Sequence, residues 1–212
     1  MKIIQRAFLV RHLCLPFQET NRSHIMKITA LSRMPFSPKA AWPEVAKLDA
    51  HIARLFLSLV IPLSLLPPVL IYLAGHHYGD AFIQGFSSKP WGQIAIAFFF
   101  GEIASVALMG WLIRQVAATW HGKISYRSAY LLAAIAPIPL WVSSLGLLVP
   151  SILLNVLLSF SALGLSCALI YRGVQALCNI EEDIEAAAVT QVVFGAGMIV
   201  WGLLLSLVVL PV

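Results

Sequence analysis

Charge is the scarcest commodity in this chain. Charged residues make up 11% of it, against roughly 25% in soluble globular domains, and residues 129–171 carry no Asp, Glu, Lys or Arg at all. So little polar surface excludes a water-soluble monomer, which would have too few polar groups to turn toward solvent. Cysteine is scarce too. Cys14, Cys167 and Cys178 are odd in number, far apart and free of any CxxC or Cys–His spacing, which argues against a disulfide framework or a zinc site. The neighbours His76 and His77 read as a structural or solvated pair in a short loop. GxSxG, HExxH, P-loop and dinucleotide fingerprints are all absent. The chain therefore reads as a non-enzyme, with no cofactor and no metal.

What is present is apolar sequence in long runs. Residues 55–74, 94–113 and 186–210 are each charge-free or nearly so, and each is long enough to cross a hydrocarbon core of about 30 Å. The run over 129–171 is about twice what one crossing needs. Pro150, after Ser143, Ser144 and Gly146, splits it into spans at 129–149 and 151–171 with almost no loop between them. Backbone polar groups in lipid find no water, so each span must be helical. The expected fold is all-α: a polytopic bundle of five transmembrane helices over residues 55–212, preceded by a basic arm over residues 1–54.

The basic residues set the orientation. Most of the fourteen precede the first span (Lys2, Arg6, Arg11, Arg22, Lys27, Arg33, Lys39, Lys47, Arg54). Lys89 alone occupies the first loop; Arg114, Lys123 and Arg127 flank the second, none lies in the third, and Arg172 is in the fourth. This alternation predicts a cytoplasmic amino terminus and a periplasmic carboxyl terminus. Attraction to anionic headgroups accounts for the basic excess, so no nucleic-acid partner is called for. Residues 1–33 lack a small-residue cleavage site and read as an amphipathic arm, a flexible tail, or sequence upstream of a start at Met26 or Met34.

Within the spans, Glu102 is the one charged residue far from any end. An ionised carboxyl there costs at least about 2.5–3.5 kcal/mol and calls for a partner or a proton. Two uses are open: an intramembrane polar site with Asn155 and Gln191, serving a proton or cation relay, or a carboxyl packed structurally against Ser105 or a neighbouring helix. Ala97, Gly101 and Ser105 recur every four residues and suit close helix approach, as do Gly195 and Gly197. Pro62, Pro67, Pro68, Pro137 and Pro139 bend their spans, either to shape a small bundle or to open a cavity where the bends meet. The last loop carries Glu181, Glu182, Asp183 and Glu185, an acidic cluster that docks a basic partner or is simply solvated.

Several of these residues form an ordered series. Ser37-Pro38-Lys39-Ala40-Ala41-Trp42-Pro43-Glu44 is a short polar segment with Trp42 placed as an interface anchor. It is followed by the prolines of the first span, then Pro139-Leu140-Trp141, Pro150, Tyr171-Arg172-Gly173, and Asn179-Ile180-Glu181-Glu182. The series resembles the Yip family, the Ypt/Rab-interacting five-span membrane proteins, and in particular its bacterial inner-membrane branch, over roughly residues 37–212. Ile138 and Arg172 depart from the family's usual Thr and Leu. The resemblance implies a non-catalytic scaffold or adaptor of the inner membrane, acting through the lipid bilayer, a protein partner on the cytoplasmic face and a second copy of itself. It further implies a partner face built from Trp42, Pro139, Trp141, Pro150, Tyr171, Gly173, Glu181 and Glu182. The rival class is a small transporter or channel that uses Glu102.

Overall fold

The computed structural model describes residues 52–120, 122–178, 180 and 182–210, all within one compact unit, Leu48–Val212. Among them every regular element is helical, and five segments are long and apolar enough to cross a membrane: Phe56–Phe82, Trp91–Thr119, Tyr126–Leu148, Ile152–Leu177 and Asp183–Val209. They are referred to below as the first to fifth spans. The second, at 29 residues, is about 43 Å long at 1.5 Å per residue. It outruns the ~30 Å hydrocarbon core, so its last turns carry Arg114 out to the membrane surface.

Proline dictates where two spans break. Pro62, Pro67 and Pro68 have no N–H to give to the preceding turn. The first span accordingly runs as a π-turn (Phe56–Val60), a short helix (Ile61–Ser64), a break at Leu65 and a longer helix (Leu66–Phe82) that kinks at Tyr78, where φ is −135° and ψ 21°. The Ser64 hydroxyl returns to the Ile61 carbonyl at 3.3 Å. The third span is helical over Tyr126–Ile135, breaks at Ala136 and Pro137, and resumes as Ile138–Ser143 and a 3-10 turn, Ser144–Leu148. Its chain turns round through Val149 and Pro150 and re-enters at Ile152, where Ser151 caps the new helix by accepting from the Leu154 N–H.

The first half of the third span is the centre of the bundle: residues 129–136 are buried without interruption. It packs on the second span, where Gly110 lets the Tyr130 backbone approach; a Cβ on Gly110 would lie 3.1 Å from the Tyr130 Cα. The fifth span is the reverse case. Only 6% of its most apolar window is buried within the bundle. Its apolar character therefore serves the lipid rather than the protein core, as do the outward-facing Leu153 and Phe160 of the fourth span.

The loops gather at two ends. At one, Gly122 lies against Cys178 and Ile180, joining the loops that follow the second and fourth spans beside the basic residues Arg114, Lys123 and Arg172. Cys178 is fully buried there, and desolvation pushes its thiol from the ordinary 9.0 up to about 12. Since the thiolate is the reactive form, three pH units mean about 1,000-fold slower alkylation near pH 8 than in the unfolded chain. Maleimide labelling of a Cys14→Ser/Cys167→Ser variant, before and after denaturation, measures that ratio.

At the other end, Lys89 caps the fifth span. Its ammonium donates to the carbonyls of Val208 (2.7 Å), Val209 (3.2 Å) and Leu210 (2.8 Å) and sits 4.4 Å from the centre of the Phe86 ring. A cation at a helix carboxyl terminus satisfies orphan carbonyls and the helix dipole together. Lys89→Met is expected to lower stability by about 1–2 kcal/mol, with Lys89→Arg restoring most of it, as read from the unfolding midpoint in mixed micelles.

Candidate functional site

All five spans contribute to one cavity of about 260 Å³, with Pro67, Glu102, Trp141, Ser166 and Trp201 among its lining residues, one from each span in turn. Pro67 and Pro137 both line it, which puts the breaks of the first and third spans at its wall. Kinked axes diverge from regular ridge-into-groove packing, and the gap between them is the cavity.

Glu102 is 7% exposed, on the inward face of the second span. The indole N–H of Trp141, itself 3% exposed, donates to its Oε1 at 3.0 Å. Its Oε2 is buried and has no hydrogen-bond partner among the described residues. Ser105 does not serve the carboxyl as the sequence suggested: its hydroxyl donates instead to the Glu102 backbone carbonyl, at 2.7 Å. Ser143 and Ser144 likewise spend their hydroxyls on the carbonyls of Leu140 and Trp141. Ser166 differs. Its Oγ is buried, faces the same cavity and is without a partner among the described residues. No Lys, Arg or His is among the lining residues. Chemically, the cavity offers hydrogen-bond acceptors and one site of negative charge inside apolar walls.

The three residues of the sequence-derived polar site separate. Asn155 lines the cavity with Glu102, but its amide is committed to the turn between the third and fourth spans, donating to Val149 O (3.1 Å) and Ser151 O (2.8 Å). Gln191 is exposed on the fifth span and does not line the cavity. Trp141 is the member that sequence reasoning did not assign to this site. The available signal was a tryptophan in mid-span, whose N–H needs an acceptor when buried, in a bundle with one buried carboxylate to offer.

The residues expected to form a single partner face are also dispersed. Trp42 and Glu181 lie outside the described residues. Trp141 is interior, and Pro139 is half-buried next to it in the third span. Pro150 is exposed in the turn before the fourth span, whereas Tyr171, Gly173 and Glu182 belong to the opposite end of that span. Motif order along the chain therefore did not translate into one surface, because successive spans run in opposite directions. Gly173 is buried, while Glu182 is exposed. Tyr171 is half-buried; its hydroxyl donates to Asp183 Oδ1 at 3.1 Å, and the Gln175 amide donates to the same oxygen at 2.9 Å. These bonds clamp the end of the fourth span to the start of the fifth.

Five membrane-crossing helices around a polar-tipped, otherwise apolar cavity define a small polytopic membrane protein. The Yip1 domain matches residues 33–204, and the chain belongs to that family. It is similar to the inner membrane protein YohC of Escherichia coli (strain K12), with 26% identity over 155 residues that cover 71% of this chain and 79% of that protein. The protein of the same name from Escherichia coli O6:H1 (strain CFT073) matches to the same extent. No solved structure matches.

Proposed function

We propose that this is a non-catalytic scaffold or adaptor of the inner membrane that acts through lipid-phase and protein partners, with its amino terminus in the cytoplasm and its carboxyl terminus in the periplasm. The inner-membrane placement is supported by the name of the relative YohC, and the orientation by the alternation of basic residues. The observation that carries the reading is the five-span cavity with Glu102 at its wall. A concave, mainly apolar site with a few convergent polar groups is the usual form of a small-molecule site, and an ionisable residue inside a membrane marks function more often than architecture. The cavity holds a small molecule drawn from the bilayer, and the acidic end around Glu182 and Asp183 meets the protein partner.

Each half has its own test. The full chain, purified in nanodiscs, is extracted with solvent and the extract read by mass spectrometry. A molecule should accompany the wild type and be lost from Ser166→Phe, whose ring would project into the cavity; identical extracts would count against the cavity as a working site. Charge reversal at Glu181 and Glu182 should reduce co-purification of a crosslinked partner at least several-fold, and undiminished capture would remove the acidic end from the proposal.

A transporter or channel is the second reading, favoured by the two proline breaks that meet Glu102 at the cavity. It requires proton or ion flux in liposomes that Glu102→Gln abolishes. Flux indifferent to that substitution sinks it.

A further inference from the structure

We infer that the cavity selects a compact, lipophilic amine, a small apolar body bearing a protonated nitrogen with N–H donors, and holds that nitrogen on the free oxygen of Glu102. This deepens the binding reading above and rests on it. Two buried acceptors face the cavity without partners among the described residues, Glu102 Oε2 and Ser166 Oγ. The carboxyl is already oriented, because the Trp141 N–H holds its other oxygen at 3.0 Å. A carboxyl inside a bilayer takes either a proton or a counter-charge, and no basic side chain lines the cavity to supply the latter. A ligand that meets the ionised carboxyl brings that charge itself.

The walls indicate the rest of the molecule. Phe98, Trp141, Phe194 and Trp201 present aromatic rings, and Met109 and Met198 add polarisable sulfur. Aromatic faces attract organic cations, and thioethers adapt to aromatic or alkyl bodies. A bare metal ion fits poorly. Hard cations take six or more oxygen ligands, whereas the cavity supplies one carboxylate, and no cluster of three metal-binding side chains occurs among the described residues. A quaternary ammonium would leave both free acceptors without a donor. Size sets the last limit: about 260 Å³ lies just below the roughly 300–1,000 Å³ typical of drug-sized sites. One ring with a short amine arm fits; a whole phospholipid does not.

The test uses the full chain in nanodiscs and two probes of matched shape, 2-phenylethylamine and 2-phenylethanol, each titrated at constant ionic strength against the thermal unfolding midpoint. The amine should raise the midpoint saturably, with half-saturation about tenfold below that of the alcohol. Glu102→Gln keeps the acceptor for Trp141 and should erase the amine's advantage. The inference is overturned if amine and alcohol act alike on the wild type, if Glu102→Gln retains the preference, or if sodium chloride alone reproduces the shift. The wild-type comparison needs no variant to fold. If the amine shows no preference while a co-extracted molecule is still lost from Ser166→Phe, this inference falls and the binding reading stands; if nothing is co-extracted either, both fall.

Discussion

Replacing Trp141 with phenylalanine is expected to lower stability by about 2–4 kcal/mol, more than the lost ring area explains. Phenylalanine keeps an aromatic body in the third span but deletes the N–H that reaches Glu102. A hydrogen bond to a charged group contributes about 1.5–3 kcal/mol, and a buried group stripped of its partner also bears its full desolvation cost. With Oε2 already unpartnered, the carboxyl would have no donor from the described residues at all. The diagnostic result is the rescue. Glu102→Leu added to Trp141→Phe removes the polar group along with its donor and should return stability to within about 1 kcal/mol of wild type. A double-mutant cycle by denaturant unfolding in mixed micelles gives the coupling directly. If Trp141→Phe is silent, or if the second substitution makes matters worse, the pair does not hold the second and third spans together.

The membrane fold was legible because its cause is local: a charge-free run of sufficient length leaves the backbone no choice but a helix. The break in the longest run falls where Pro150 indicated, between Leu148 and Ile152. The ends of the spans were less legible. Residues 75–82 hold His76, His77 and Asp80 and looked like loop, yet the helix continues past a kink at Tyr78 to Phe82, since helices continue past the hydrocarbon core into the headgroup region, where polar side chains are satisfied. At the site, Glu102 announced itself as a lone charge in an apolar run. Its partner did not, because the contact spans 39 residues and depends on how two bent helices pack. Gln191 was assigned inward for a related reason. The fifth span is apolar on every side, and periodicity gives no direction to a helix whose faces look alike. Glycine gave a mixed signal. The four-residue repeat picked out Gly101, which does receive Leu204, but Gly195 has open space around it, while the tightest approach is at Gly75, which the repeat does not include.

Gly75 is where the smallest substitution should do the most damage. Alanine in a helix interior normally gains about 0.8–1.0 kcal/mol over glycine. At Gly75 a Cβ would run into the Trp91 ring, which is 4% exposed within a cluster of Ile71, Ile94 and Phe98. The ring cannot step aside cheaply, since its Nε1–H donates to Phe86 O at 2.8 Å and the Phe86 ring stands edge-on to it. Overpacking against a fixed ring costs about 1–3 kcal/mol, so Gly75→Ala should reverse the usual sign and destabilise. Gly164→Ala and Gly202→Ala are the matched controls, because both glycines are exposed with nothing within 4 Å of the added carbon; they should be neutral or stabilising. Trp91→Leu should relieve part of the Gly75→Ala penalty, making the double variant less destabilised than the two single effects combined. Equal behaviour of all three glycines in unfolding midpoint would mean that the first and second spans do not meet at Gly75 and Trp91, and the cavity wall built from Ile71 and Phe98 beside that contact would have to be placed differently.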